Sequence, residues 1–399
     1  MALVESQFRR LYAVLFSIFV LFGISMTIIG ATLPKILADF QWSYTTAGAV
    51  IAAGAVSYFV ATYVAGFLIS SIGAKPTMLI GLVLEVLGLL FFAKSPSALI
   101  NLLLNAGIGI GQGFLELTVN WSTLRMDKSG HGRAMNLMHG AFAVGAFIGP
   151  FIVGILIQQN LSWTLVYRGM ALLFAGIFTL ITTLSFTALG KDQGHSTSSG
   201  RRDLLRHPAY WLGFITLLLY VGVELGISNW IAEYFVSTYK ASPASGSFMV
   251  SLFWIGLLAG RFGVPLLYRG NRQGAVLLSM SILMSLSVVL LSALGFAAPS
   301  GPVLNLARLL AFLSGLGCSI IYPMVVMRIG SAFPNTQSEA VAFASMGGGV
   351  GAFVFPFLMA ALASAYGIQI GFASYGLFSI TVVISSFILV GLTKEKGHP

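Results

Sequence analysis

Residues 101–120, NLLLNAGIGIGQGFLELTVN, decide which fold the rest of the chain has to provide. The stretch is long and apolar, yet polar side chains recur in it at helical spacing. At about 100° per residue, these side chains fall within an arc of roughly 100° on one helical face. Such a stripe is typical of a membrane helix that borders a watery cavity. Its members are Asn101, Asn105, Gln112, Glu116 and Asn120.

The composition indicates a protein that crosses a membrane many times. Of its 399 residues, 57% are hydrophobic and 8% are charged, whereas about 25% are charged in a soluble domain. The net charge of +10 comes from basic residues scattered among apolar runs, so membrane orientation explains it better than nucleic-acid binding. We therefore expect no nucleic-acid partner and contact with membrane lipid.

Enzymatic and metal chemistry find no support in the motifs. The single cysteine, Cys318, excludes an intramolecular disulfide and a cysteine-based metal cluster. No GxxxxGK[ST] loop or HExxH motif is present, and the polar loops are too short to hold a catalytic domain. We predict that the chain is not an enzyme and needs no cofactor or metal.

Apolar runs long enough to cross a bilayer as helices recur along the whole chain. We predict an all-α integral membrane protein with twelve transmembrane helices in two pseudo-symmetric six-helix bundles. The first six runs are 11–34, 44–70, 76–94, 97–124, 133–157 and 163–187. The second six are 208–236, 244–267, 273–294, 303–330, 337–364 and 367–392.

The distribution of lysine and arginine predicts the orientation. With the N-terminus inside, most basic residues fall in inner segments, as the positive-inside rule requires. Both termini are then cytoplasmic, and we expect a monomer in a bacterial inner (plasma) membrane. The basic residues that this orientation places outside are Lys35, Lys94, Arg168, Lys240 and Arg308.

The two halves resemble each other in sequence. GAFIGPF at 145–151 is matched by GAFVFPF at 351–357, and Gly-Ile-Ser at 23–25 recurs at 226–228. These matches share an offset of roughly 203–206 residues, which indicates duplicated six-helix halves. The polar stretch between them is typical of a cytoplasmic linker. The predicted domains are 1–189, a linker at 190–207, and 208–399.

Acids inside the spans are the first candidates for function, because buried charge is costly in a membrane. Glu116 belongs to the polar stripe and is predicted to take up a proton or to bind substrate, the alternative being a structural acid. Glu224 shares a helical face with Tyr220 and Ser228 and is the second candidate for proton coupling. Glu85 has no polar companion at helical spacing and is expected to be structural or at the lipid edge.

Aromatic residues beside amides and acids favour a sugar as substrate. The apolar C–H face of a sugar stacks on Trp or Tyr, and its hydroxyls pair with Asn, Gln and carboxylates. Each aromatic residue taken singly is more often a packing or interface residue. The predicted substrate-binding residues are Gln112, Glu116, Asn120, Tyr220, Glu224, Asn229, Trp230, Trp254 and Tyr322.

Two six-helix halves joined by a cytoplasmic linker resemble the major facilitator superfamily. The signature loop of that family corresponds to residues 66–75, GFLISSIGAK, which keep its two glycines and final basic residue but have Ser70 in place of the acid. The counterpart in the second half, 260–274, keeps a Gly-Arg pair. The resemblance implies a gating or structural role for Arg261.

Within that superfamily the chain resembles the fucose–proton symporter group, which includes sodium-dependent glucose carriers. The stretches that carry this are GFLELTVNW at 113–121, MNLMHGAFAVGAFIGP at 135–150 and YVGVELGISNW at 220–230. The resemblance maps the sugar-binding and proton-coupling acid of that group onto Glu116, and a following asparagine onto Asn120. The first helix lacks the coupling aspartate of the fucose carrier, so Glu116 would have to act with Glu224, or sodium would have to replace the proton.

These patterns predict a secondary transporter that works by alternating access, with one central site between its halves. The expected substrate is a monosaccharide or a similar small polar solute, taken up with a proton or, alternatively, with sodium. A proton-coupled drug or metabolite exporter is a competing interpretation on the same fold. A non-transporting receptor or scaffold is a third, and the repeats and the Gly/Pro-rich helices weigh against it.

Overall fold

A computed structural model of the chain describes residues 4–126, 133–190, 204–267 and 273–393. In the first part it contains six long α-helices: α1 Arg9–Phe40, α2 Tyr44–Ile72, α3 Ala74–Phe91, α4 Ala98–Met126, α5 Arg133–Gln158 and α6 Leu165–Thr183. Seven follow: α7 Pro208–Tyr239, α8 Pro243–Leu267, α9 Gln273–Leu294, α10 Gly301–Cys318, α11 Ile321–Ala332, α12 Gln337–Tyr366 and α13 Ile368–Leu392. Short 3₁₀ turns occupy Ser6–Phe8, Thr187–Leu189 and Pro334–Thr336.

Twelve helical segments within the described ranges are long and apolar enough to span a membrane. They agree with the twelve predicted runs to within a few residues, because twenty or so apolar residues are needed to cross the bilayer as a helix. The prediction of an all-α protein with twelve spans is confirmed. The thirteen long helices of the described ranges make twelve spans because α10 and α11 together form one span, Gly301–Ala332.

The break between α10 and α11 was not predicted. It falls at Ser319 and Ile320, four residues before Pro323. A proline has no N–H, so Pro323 cannot donate the helical hydrogen bond to the carbonyl oxygen of Ser319. That oxygen accepts a hydrogen bond from Nε of Arg261 instead, at 3.3 Å. The break therefore exposes a backbone acceptor inside a membrane span.

The chain divides into two compact units, Met1–His195 and Ser196–Pro399. The predicted linker at 190–207 falls largely outside the described residues, which omit 191–203 with Lys191, Arg201 and Arg202, so its role stays a prediction. Five further basic residues that the predicted orientation places on the inner side also lie outside the described residues: Lys128, Arg269, Arg272, Lys394 and Lys396.

Glycines set the same close helix contacts in each unit. In the first unit a Cβ on Gly145 of α5 would collide with the carbonyl oxygen of Val20 on α1. In the second, a Cβ on Gly351 of α12 would collide with that of Leu218 on α7. Small residues of this kind let helix backbones approach closely in a membrane. Gly145 and Gly351 belong to the repeated GAF motifs, so the repeat is a repeat of packing.

Several basic residues of the orientation argument cap helix ends. The ammonium group of Lys75 donates to the carbonyl oxygens of Thr182 and Leu184, each at 2.7 Å, at the end of α6. The guanidinium of Arg168 donates to those of Leu89 and Phe92 at 2.7 Å, at the end of α3. The last carbonyls of a helix lack intrahelical partners and carry the negative end of its dipole. These cations therefore also have a structural task.

Candidate functional site

The polar stripe of α4 divides into a structural end and a remainder that meets other helices. Asn101 is fully buried, accepts from the backbone N–H of Ala93 at 2.7 Å and donates to the carbonyl oxygen of Ser95 at 2.7 Å. Asn105 donates to the carbonyl oxygen of Val50 on α2 at 2.7 Å. The expectation that the whole stripe borders a watery cavity is therefore wrong at this end, because backbone groups use both amides.

Gln112 connects the stripe to two other helices. Its Nε2 donates to the hydroxyl of Ser25 on α1 at 3.0 Å, and that hydroxyl donates to Oε2 of Glu85 on α3 at 3.4 Å. Glu85 has no exposed surface. A position at the lipid edge is thus excluded for Glu85, whose polar companions come from other helices rather than from its own.

Glu116 accepts a hydrogen bond from the hydroxyl of Tyr58 on α2. Its side chain is partly buried. The ring of Tyr58 stacks on Phe22 of α1 with centroids 6.3 Å apart, and Phe22 lies 5.1 Å from the ring of Phe142 on α5. The acid of α4 therefore sits beside aromatic side chains from α1, α2 and α5.

Sequence reasoning missed Tyr58. The residue has no charged or amide neighbour along α2, and its partner Glu116 lies on α4, 58 residues further along the chain. The second and fourth spans of the second unit are also joined by a polar contact, from Arg261 on α8 to the Ser319 carbonyl oxygen. Helical periodicity within one segment does not reveal a contact between helices this far apart.

Asn120 lies one turn after Glu116 and has hydrogen-bonding capacity to spare. Its Oδ1 and the indole N–H of Trp121 are buried without a hydrogen-bond partner among the described residues. The guanidinium of Arg125 lies over the Trp121 ring at 3.9 Å from its centroid. A buried polar atom without a partner is costly, so this end of α4 offers both an acceptor and a donor to a polar ligand.

In the second unit, Tyr220 and Glu224 lie on one face of α7, as their spacing predicts. Tyr220 is fully buried and its hydroxyl donates to the carbonyl oxygen of Cys318 at 2.8 Å. Glu224 is 7% exposed and lies close enough to Tyr220 and Arg261 to interact with both. Arg261 in turn reaches Ser319, so these residues converge on the break between α10 and α11.

The remaining predicted residues of the second unit differ in how deeply they are buried. Trp230 is fully buried, and Trp254 is 1% exposed with its indole N–H donating to the Ser228 hydroxyl at 2.8 Å. Tyr322 is partly buried and donates to the Ser345 hydroxyl at 3.1 Å. Asn229 is partly buried. The two tryptophans are therefore enclosed by protein in this conformation.

Metal ligands are not clustered in the described ranges. No group of three or more His, Cys, Asp or Glu side chains there could hold a metal ion.

Comparison with known proteins identifies the family. Residues 15–309 match the sequence model of the Major Facilitator Superfamily. Among curated proteins, "Bypass of stop codon protein 6" of Saccharomyces cerevisiae is 25% identical over 272 residues, which are 61% of this chain. A "Protein TsgA homolog" of Yersinia enterocolitica is 24% identical over 258 residues, 64% of this chain. The chain spans 54% and 63% of the length of these two relatives.

Solved structures share the fold at low sequence identity. The nucleoside transporter NupG superposes with a TM-score of 0.74 at 17% identity, over 98% of this chain and 100% of that one. The D-xylose–proton symporter gives 0.73 at 15% identity, over 98% and 100%. FucP in its outward conformation gives 0.64 at 19% identity, over 96% and 99%. The chain belongs to the Major Facilitator Superfamily, and the predicted superfamily and its twelve-span helical fold are confirmed.

Proposed function

We propose that this secondary transporter moves a monosaccharide or a similar polyhydroxylated solute, with a proton bound at Glu116. The observation that carries the proposal is the pairing of Glu116 with Tyr58 inside a membrane span, one turn from the unpartnered Oδ1 of Asn120. We place the protein in a bacterial inner membrane as a monomer with both termini in the cytoplasm, following the positive-inside rule.

The proton assignment rests on the chemistry of an acid among apolar rings. An ionised carboxylate only accepts hydrogen bonds, whereas a protonated one also donates. Charge within a membrane span is costly, and such residues are usually functional. Proton binding at Glu116 would therefore change the charge beside Phe22. It would also change which hydrogen bonds the acid can make with Tyr58 and with a substrate.

The sugar assignment rests on complementary hydrogen bonding. A polyol carries hydroxyls that donate and accept, which matches the acceptor of Asn120 and the indole donor of Trp121. An aromatic ring beside them is the surface on which the C–H face of a sugar stacks. The similarity in fold to a structure titled as a D-xylose–proton symporter, and to FucP, supports the same class. The further membership of the fucose–proton symporter group is part of this proposal.

In the second unit we assign Glu224 to substrate or proton binding, Asn229 to substrate binding and Arg261 to gating. Arg261 is suited to gating because it holds a carbonyl oxygen that a broken helix leaves free, and such a contact can be made and broken as the helix moves. Gln112, Tyr220 and Tyr322 complete the proposed set in the two units. Trp230 and Trp254 are enclosed, so they would reach substrate only after a conformational change.

A proton-coupled drug or metabolite exporter is the second candidate, and one observation favours it. Phe19, Phe22 and Phe142 form an aromatic cluster beside Tyr58 and Glu116, with neighbouring ring centroids 5.1–6.3 Å apart. Acids among aromatic rings suit lipophilic cations, which are attracted by the ring faces.

The test is counterflow of labelled hexoses into proteoliposomes, with and without an imposed pH gradient. We expect one hexose to exchange, and we expect Glu116→Gln to exchange without accumulating against its gradient. Glu233→Gln is the matched control. Glu233 is also a buried acid of a membrane span, but it accepts a hydrogen bond from Ser237 on its own helix. This variant should accumulate substrate like the wild type.

The alternative outcomes are distinct. Accumulation that follows sodium rather than the pH gradient would assign the chain to sodium-coupled sugar transport. Exchange of a lipophilic cation, with no hexose exchanging, would refute the sugar proposal and favour the exporter.

A further inference from the structure

Glu85 is a buried acid that the proposed site does not use. It has no exposed surface, and its Oε1 has no hydrogen-bond partner among the described residues. A Cβ on Gly111 of α4 would lie 2.9 Å from Cγ of Glu85, so the acid packs directly on the backbone of that helix. An ionised carboxylate in such a place would be exceptionally costly.

A chain of hydrogen bonds joins Glu85 to a predicted substrate ligand. Gln112 donates to Ser25 at 3.0 Å, and Ser25 donates to Oε2 of Glu85 at 3.4 Å. The three residues come from α4, α1 and α3. A change in the hydrogen bonding of the Gln112 amide therefore affects the carboxyl group of Glu85 through the Ser25 hydroxyl.

We propose that Glu85 is a second proton-binding site, and that Ser25 couples it to substrate bound at Gln112. The link to substrate rests on the proposed function, whereas proton binding by Glu85 does not. In this proposal Glu85 carries a proton as a neutral acid at neutral pH while it is enclosed.

The coupling follows from cooperativity along the chain. While Gln112 donates to Ser25, the Ser25 hydroxyl is a better donor to the carboxyl group and favours its ionised form. A substrate hydroxyl that takes over the Gln112 amide weakens that donation, which favours the proton-bound form. Substrate and proton then bind cooperatively, and by linkage each raises the affinity for the other. This is the sign that symport requires.

The charged side chains of the neighbouring helices lie away from Glu85 or are bound to other groups. α2 contains no Asp, Glu, Lys or Arg. On α6, Arg168 binds the carbonyl oxygens of Leu89 and Phe92, one turn and more beyond Glu85 on α3. On α4, Glu116 lies one turn past Gln112 and is paired with Tyr58. On α1, the charged residues Arg9, Arg10, Lys35 and Asp39 all lie more than two turns from Ser25. The buried hydroxyl of Tyr167 on α6 bonds with that of Thr32 on α1.

The test of the proton site needs no substrate. Infrared spectra of the reconstituted full chain at neutral pH report the C=O stretch of protonated carboxyl groups. We expect Glu85→Gln to lose the band of one carboxylic acid, whereas Glu5→Gln, which changes an exposed acid, should leave that band unchanged. Ser25→Ala keeps the acid and should shift its band, because a hydrogen bond to the carboxyl group is lost. An unaltered band in Glu85→Gln would overturn the proposal.

The test of coupling uses transport. Glu85→Gln, whose amide has the shape of the protonated acid, should exchange substrate but lose gradient-driven accumulation by about tenfold, and Glu85→Asp should recover part of it. Accumulation that is unchanged in Glu85→Gln, or that follows sodium, would overturn the coupling role. If the Glu85 band is present and the wild type exchanges no hexose, the proposed function fails while the proton site stands.

Discussion

The pair Tyr58–Glu116 in the first unit and the pair Arg261–Ser319 in the second each join the second and fourth spans of their unit, yet their chemistry differs. In the first, a carboxyl group accepts from a hydroxyl, and proton binding can change that contact. In the second, a permanently charged guanidinium donates to a backbone carbonyl that Pro323 leaves free. The same two spans are therefore joined by a titratable contact in one unit and by a fixed cation in the other.

The preserved part of the comparison is the glycine packing. Gly145 and Gly351 make equivalent contacts with backbone carbonyls on α1 and α7. Because no side chain fits there, selection for packing acts alike on both halves. The divergent part is the polar chemistry, where one half offers a titratable pair and the other a fixed cation. Substitutions in both units can test this contrast.

Adding side-chain volume at the shared contacts should have the largest effect. Gly145→Val and Gly351→Val each force a Cβ into a backbone carbonyl, so we expect about 3 kcal/mol of destabilisation in either unit. Gly176→Ala and Gly391→Ala are the controls, since a Cβ at either glycine meets nothing within 4 Å. Size-exclusion chromatography after heating in detergent measures the effect. Destabilisation by only one of the two valine substitutions would contradict the shared packing.

The next effect concerns two arginines, one in the fourth span of each unit. Arg328 is 6% exposed and donates to the carbonyl oxygen of Thr393 at 2.9 Å and to its hydroxyl at 3.0 Å, capping α13. We expect Arg328→Met to cost about 1–3 kcal/mol, because buried acceptors lose their donor. Arg125 is exposed and stacks on Trp121, so Arg125→Met should cost less than about 1 kcal/mol.

The buried thiol of Cys318 provides the measurement for this pair. It is the single cysteine of the chain and is fully buried, so a thiol-reactive dye labels it only when the protein unfolds. Equal shifts in the labelling temperature for Arg328→Met and Arg125→Met would contradict the different contributions to stability expected of the two arginines.

Removing the fixed cation should slow transport without uncoupling it. We expect Arg261→Gln to lower the exchange rate by about tenfold, since the neutral side chain holds the Ser319 carbonyl oxygen less firmly. The dependence of accumulation on the pH gradient should remain. A variant that exchanges at the wild-type rate but no longer responds to the gradient would place coupling in the second unit instead.

The smallest effect is expected for Tyr58→Phe. The change removes the hydroxyl that donates to Glu116 and keeps the ring that stacks on Phe22. A hydrogen bond of this kind is worth about 1 kcal/mol net, so we expect about a fivefold change in the proton concentration that gives half-maximal accumulation. Tyr63→Phe, at an exposed tyrosine of the same helix, is the control and should behave like the wild type.

Some of the candidate site could be predicted and some could not. Helical periodicity put Gln112, Glu116 and Asn120 on one face of α4, and Tyr220 with Glu224 on one face of α7, since that geometry is local. The lipid-edge position considered for Glu85 was wrong because its partner Ser25, and Gln112 behind it, come from helices distant in sequence. Asn101 was misjudged because its local backbone contacts, rather than the stripe, decide its role.

The sequence by itself determined the number of spans and the all-helical architecture. Each follows from local composition, because a bilayer requires runs of apolar residues whose backbone groups are satisfied within a helix. Only the tertiary structure decided that Tyr58 meets Glu116, that Ser25 meets Glu85, and that Arg261 meets the carbonyl oxygen freed by Pro323. Periodicity tells which residues share a face, but the helix that covers this face is chosen by packing between segments remote in the chain.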